Sequence, residues 1–274
     1  MRHLPVPCSD ADDDAVVTSL CKGEDWKPHL KGWLAAYSEY RQAGSDPWKV
    51  TPTVFNPDAH DPQYELYDAR KRGGPIRRIR DTRGLLSCPM CGSHTTGSLD
   101  HVLPRAVYPE FSIMRANLVP ACMHCNSASK GNKHRGPVPP ERFIHPYFDA
   151  FAGQPLWSVQ IVPPFAAATF NPVPMPGLTV PQASIVRYHL TNVLGDEFTR
   201  RMETAWSTLP GSLHASAAGA PITYHSIAAQ LAVDLTRAII TRGENGWDTA
   251  FLRGVAADPA AVAHVTERAT NYPL

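Results

Sequence analysis

Cys88-Pro89-Met90-Cys91, Asp100-His101, Asn117 and Cys122-Met123-His124-Cys125-Asn126 follow one another between residues 88 and 126. Two CxxC knuckles thus bracket an Asp-His pair. Four thiolates form the ligand set of a closed tetrahedral zinc site, which contributes folding energy and offers no open position to a substrate. The metal held by Cys88, Cys91, Cys122 and Cys125 is therefore read as a structural staple. Reactive chemistry is expected between and just after the knuckles, where Asp100, His101, Asn117 and Asn126 combine oxygen ligands for a hard cation with one imidazole base.

The rest of the chain sets bounds. At 274 residues it is long enough for one large domain or two modest ones with a real core. A net charge of +1 with 19% charged residues gives no global field for nucleic acid, so any electrostatic footprint must be local. Of six cysteines four lie in the CxxC pairs, which reads as metal binding in a chain without a secretory signal. Cys8 and Cys21 are left over, and a disulfide between them stays open, although a reduced compartment suits four thiolates better. The first ten residues carry no apolar leader and no run approaches a membrane span, so a soluble, cytoplasmic protein is expected.

Periodicity supplies the elements. Asp10 to Asp14 precede Val16, Val17 and Leu20, which suits a short helix with acids at its N-terminus; disorder of the first ten residues is the alternative. Leu30, Trp33, Leu34, Tyr37 and Tyr40 repeat at helical spacing and predict a helix whose aromatic stripe is core. Asp61 as N-cap, Pro62 and Gly73 predict a helix over 62–72. From Arg70 to Arg83 seven basic residues face one acid, Asp81. That run is either a solvated helical face or a phosphate contact. His101–Leu103 and Leu118–Pro120 read as short strands limited by Pro104 and Pro120, and Asn126 as the N-cap of a helix reaching Lys130. Eleven prolines between Pro137 and Pro181 predict extended loops and edge strands, with alternating stretches at 157–162 and 178–180. The last third is helical: Val186, Leu190, Val193, Leu194, Phe198, Met202 and Trp206 mark one face, Ile227, Leu231, Leu235 and Ile239 another, and Asp258-Pro259 opens a final helix. There is no internal repeat and no glycine-rich phosphate loop.

The stretch 88–133, closing on Lys130-Gly131-Asn132-Lys133, resembles the HNH endonuclease family through four separately spaced pieces in the same order. The resemblance covers about a sixth of the chain by that residue span. It implies a ββα-metal module at 85–150; together with the helices read from periodicity, the expected fold is α+β, a mainly helical protein with that central module between an N-terminal helical region with the basic segment at 1–84 and a proline-rich connector with helices at 151–274. It implies that Asn117 holds the loop carrying His101, although alone it would read as a turn asparagine. His101 is the candidate general base, and Asp100 and Asn126 the ligands of Mg²⁺ or Mn²⁺. In a regular strand Asp100 and His101 point to opposite faces, so the pair must sit where the strand begins or bends. Asn126 stands where the family's third letter is often histidine; His134 and His124 are competing ligands, with His124 read as a spacer. His145, in Phe143-Ile144-His145-Pro146-Tyr147-Phe148-Asp149, sits in a phrase similar to HNH nucleases of bacterial defence systems such as the Septu type; a histidine hydrogen-bonded in the core is its plainer reading. Beside such a motif Arg77, Arg78, Arg80, Arg105, Lys130 and Lys133 become candidate contacts to the nucleic-acid backbone.

The function implied is a metal-dependent endonuclease acting on double-stranded DNA. An RNase of the same chemistry and a non-catalytic zinc-knuckle binding module are the alternatives. A nuclease without a specificity domain needs restraint, so a regulatory protein partner such as an ATPase is expected on the C-terminal helices.

Overall fold

A computed structural model of the chain describes residues 1–53, 55, 57–69, 74–94 and 96–273. Helix α1 (Asp10–Leu20) starts where Ser9 and Asp12 form a reciprocal capping box, with three acids in the first turn at the positive end of the helix. The residues before it are ordered rather than loose: Leu4 is buried and its N–H donates to the Pro146 carbonyl at 2.8 Å. Helix α2 (Leu30–Gln42) buries Trp33, Ala36, Tyr37 and Tyr40 against Tyr108, Phe111 and Met114, so the aromatic stripe is core.

Helix α3 (His60–Glu65) corrects the expected helix over 62–72. A 3₁₀ turn, Pro57–Ala59, runs straight into it, so Asp61 lies inside the first turn and meets His60 Nδ1 at 2.8 Å instead of capping. The expected end at Gly73, together with Arg70, Lys71 and Arg72, lies outside the described residues. Helix α4 (Pro75–Arg80) opens on its proline and carries Arg77, Arg78 and Arg80.

Strands β1 (Ser98–His101) and β2 (Leu118–Ala121) pair antiparallel, with Leu99 opposite Pro120 and His101 opposite Leu118. The first strand therefore ends at His101 rather than beginning there. A second hairpin joins β3 (Trp157–Val162) to β4 (Thr169–Pro174). Trp157, Val159 and Ile161 alternate into the core, and Pro172 and Pro174 are tolerated because a two-stranded pair is all edge. Residues 178–180 are not a strand: Thr179 and Gln182 form a capping box that opens helix α5 (Val180–Val193).

The apolar run from Val186 to Trp206 is buried throughout but belongs to two helices, because Gly195, at φ +62°, breaks the chain between α5 and α6 (Gly195–Ala217). Helices α7 (Tyr224–Arg242), α8 (Trp247–Ala257) and α9 (Pro259–Thr270) follow, the last capped by Asp258 as its Asp-Pro pair predicts. No described helix is long and apolar enough to cross a membrane.

One apolar cluster runs from the cysteine knuckles through the β3–β4 hairpin to α9, so the C-terminal helices and the knuckles share a core. Helix α8 lies so close on β3 that a Cβ at Gly254 would run into the Val159 carbonyl. Gly254→Ala is expected to cost about 1–3 kcal/mol through overpacking. The measurement is a lower denaturant midpoint at unchanged slope; an unchanged midpoint would mean that α8 and β3 do not meet this closely.

Candidate functional site

The sulfur atoms of Cys88, Cys91, Cys122 and Cys125 all lie within 4.8 Å of one another, and all four residues are buried. Cys91 Sγ and Cys122 Sγ are 3.7 Å apart. Four thiolates around zinc at about 2.3 Å would stand about 3.8 Å apart, so the set fits a tetrahedral ion. Backbone N–H groups donate to the sulfurs, from Cys122 to Cys88 at 3.3 Å, from Cys125 to Cys122 at 3.4 Å and from Ser93 to Cys91 at 3.4 Å. Such donors suit metal-bound thiolates, for which they would form the outer shell. The four cysteines can hold a metal ion. The first knuckle is gripped from the C-terminal helices, by His189 Nε2 on the Met90 carbonyl (2.6 Å) and Trp247 Nε1 on the Cys91 carbonyl (2.8 Å). Cys8 and Cys21 are free thiols, with burial pushing Cys8 up to about 12.

Asp100 and His101 close β1, where the chain turns away from the sheet. Both are buried, as is Asn117. Asn117 pins the turn from two sides: its Oδ1 accepts from the Leu103 N–H (2.8 Å) and the Tyr40 hydroxyl (3.1 Å), and its Nδ2 donates to the carbonyls of Leu103 (2.9 Å) and Phe111 (3.3 Å). Its place is that of a buried loop clamp. His101 Nε2 lies 2.9 Å from the Ser112 carbonyl, which can only accept, so a neutral ring donates there and has its lone pair on Nδ1. Tyr67 packs edge-on against the His101 ring, centroids 4.6 Å apart.

His145 is a core histidine. Its Nδ1 accepts from the Tyr147 N–H at 3.1 Å and its Nε2 meets the Tyr40 hydroxyl at 3.0 Å. Burial pushes it down to about 3, so it is neutral and supports Asn117 through Tyr40.

The second knuckle continues without a break into a π-helical turn, His124–Ser129, so Asn126 lies within the turn and is not an N-cap. Its Nδ2 donates to Ser98 Oγ at 2.7 Å. Lys130, one turn on, was expected to face phosphate but is only 1% exposed. Its ammonium donates to the His101 carbonyl at 2.6 Å and stands 3.3 Å from each carboxylate oxygen of Asp100. Ser98 and Asp100 share one face of β1, so Asn126 and Lys130 reach the same face. Asp100 is pushed up to about 6 because burial outweighs the ammonium beside it. Its Oδ2 receives no hydrogen bond among the described residues despite the nearby ammonium, because the approach is poorly aligned.

Other expected backbone contacts are also engaged. Arg105 donates to the Tyr64 carbonyl (3.0 Å) and Asp68 (2.7 Å) and lies over the Tyr64 ring at 4.0 Å, which ties the α3 segment across the site. Arg77 and Arg80 both reach Asp81, at 3.1 and 3.3 Å, on exposed surface. Such exposed pairs leave the guanidinium groups available to a stronger anion. Lys133 is exposed and reaches Asn192 at 3.1 Å. His134 lies against the Tyr108 ring with Nδ1 3.3 Å from the Asn132 carbonyl, and His124 is 3.9 Å from Glu197.

Ser98, Ser112, Tyr40 and Tyr67 were not singled out as site residues from the sequence. Ser112 acts through its carbonyl, which leaves no residue-type signal, and Tyr40 is indistinguishable by periodicity from its core neighbours. Beneath the same loop Glu110 is fully buried. It accepts the Thr53 N–H at 2.7 Å through Oε1, while Oε2 has no hydrogen-bond partner among the described residues.

A buried four-cysteine cluster beside an Asp-His pair defines a candidate metal-stapled site, and sequence comparison adds one relative. A stretch of 91 residues is 48% identical to Protein ea31 of Escherichia phage lambda, covering 31% of this chain and 30% of that protein. The match thus spans less than a third of the relative. No family model and no solved structure matches the chain.

Burial pushes Glu110 up from 4.5 to about 7. The native state therefore keeps a proton that the unfolded chain has already lost. Its contribution is present below about pH 4.5 and disappears as pH rises to about 7, on the order of 3 kcal/mol for the full shift. Glu110→Gln should flatten this part of the pH profile and gain relative stability at pH 8, read from denaturant midpoints at pH 5 and 8. Parallel profiles would show Glu110 to be ionised at no cost.

Proposed function

We propose that this chain is an endonuclease of the HNH type, stapled by zinc at its four cysteines and hydrolysing phosphodiester bonds with His101 as general base. The observation that carries the reading is the His101 ring held by the Ser112 carbonyl at 2.9 Å, on a turn that Asn117 clamps from both sides. A base must be fixed in one tautomer to take a proton from water, and the Ser112 carbonyl fixes which nitrogen of the neutral ring carries the proton. The likeness to HNH motifs in Cys88 to Asn126 supplies the reaction class.

A divalent ion, Mg²⁺ or Mn²⁺, would be held by Asp100 and Asn126. The fit rests on Asp100 Oδ2, a buried carboxylate oxygen without a hydrogen bond among the described residues. Asn126 uses its amide nitrogen on Ser98, which leaves the amide oxygen as its ligand atom. When bound, the ion would neutralise charge on the phosphate and the leaving oxygen. Arg77, Arg78, Arg80 and Lys133 would grip the backbone, with double-stranded DNA as the favoured substrate. Restraint by a partner protein and a role in antiviral defence extend the same reading.

The burial of His101, 8% exposed beneath Tyr67, favours a second reading, a zinc-knuckle binding module without activity. The nuclease reading requires the α3 segment to yield when substrate enters. Purified protein incubated with plasmid and with tRNA, in Mg²⁺ or Mn²⁺, separates the two. His101→Ala is expected to keep the fold and reduce cleavage by about two to four orders of magnitude; cleavage equal to wild type would remove the general-base assignment. Changing Arg77, Arg78 and Arg80 together to Ala should weaken binding and make its salt dependence shallower. An unchanged salt slope would return α4 to an ordinary solvated helix.

A further inference from the structure

Lys130 has an environment that a phosphate-gripping lysine would not have. It is 1% exposed, its ammonium lies 5.5 Å from the Phe143 ring, and its polar contacts are the His101 carbonyl and the Asp100 carboxylate. A fully buried lysine needs such partners, because an unpaired ammonium would not stay charged inside the protein. The contacts are unequal. The carbonyl bond is short, at 2.6 Å, whereas both carboxylate distances, at 3.3 Å, exceed those of a close charge-assisted hydrogen bond. Asp100 therefore holds the ammonium loosely, and its Oδ2 receives no hydrogen bond among the described residues. Gly131, Asn132 and Lys133, next along the chain, are exposed, so the flexible Lys130 stem begins beside solvent.

We propose that Lys130 is a place-holder cation: its ammonium neutralises Asp100 and pins the end of β1 in the absence of a divalent ion, and it leaves when the ion binds. The inference rests on the nuclease reading's assignment of Asp100 to a divalent cation. Exclusivity follows from charge. One buried carboxylate cannot neutralise an ammonium and a dication together, and both would stand within a few ångströms of the same two oxygens. The device keeps the buried pair ordered when the metal is absent, and makes metal affinity depend on expelling a side chain.

The test uses the full chain with its cysteine site loaded, and Mn²⁺ as the probe. Lys130→Met removes the charge and keeps an unbranched apolar stem. It is expected to bind Mn²⁺ at least tenfold more tightly than wild type, measured from free Mn²⁺ by electron paramagnetic resonance, with Asp100→Asn abolishing that binding in both backgrounds. Equal or weaker binding by the variant overturns the place-holder role and leaves the nuclease reading standing. Absence of Asp100-dependent Mn²⁺ binding in both proteins overturns the metal assignment as well. Should Lys130→Met fail to fold, amine acetylation of wild type followed by peptide mass spectrometry decides the matter. Lys130 is expected to be protected without Mn²⁺ and labelled at saturating Mn²⁺; protection that persists with Mn²⁺ bound overturns the proposal.

Discussion

Four buried sulfur atoms within 4.8 Å of one another are the constraint on which the rest of the structure depends. Packed thiols alone offer weak contacts, whereas thiolates on a dication would join two chain segments more than thirty residues apart with the strength of a structural site. The consequences spread in both directions. His189 and Trp247 bring α5 and α8 onto the first knuckle. The second knuckle runs directly into the π-helical turn that carries Asn126 and Lys130 back to β1. The position of Asp100 is thus fixed indirectly by the cysteines, through the turn that brings Lys130 to its carboxylate.

Around His101 the structure favours order over access. Asn117, Tyr40 and His145 form a buried chain of hydrogen bonds whose neutral members hold one another's orientation. Across the site, Arg105 ties Asp68 and the Tyr64 carbonyl to the loop, and Tyr67 covers the imidazole. On the nuclease reading proposed above, a base held this firmly would need little reorganisation when it acts, and the covering segment would have to move for a polymer to enter.

The sequence was most informative where local rules decide structure. The CxxC spacing gathered the four cysteines, Asp258-Pro259 marked a helix start, and the aromatic stripe of α2 was core. It misled where a neighbouring element overrode a local signal. Asp61 was absorbed by the turn before it, Thr179 capped a helix where alternation pointed to a strand, and Asn126 followed a knuckle that never stopped turning. The largest reversal was Lys130. Nothing in Lys-Gly-Asn-Lys tells an inward lysine from an outward one, because the distinction lies in a carboxylate thirty residues earlier. The orienting carbonyl of Ser112 was invisible for the same reason.

Metal stoichiometry tests the central constraint most directly. Elemental analysis of purified chain, combined with thermal melting before and after chelation, should give one zinc per chain and a large loss of melting temperature when it is removed. Zinc-free protein that melts cooperatively at the same temperature would contradict the staple and everything hung on it.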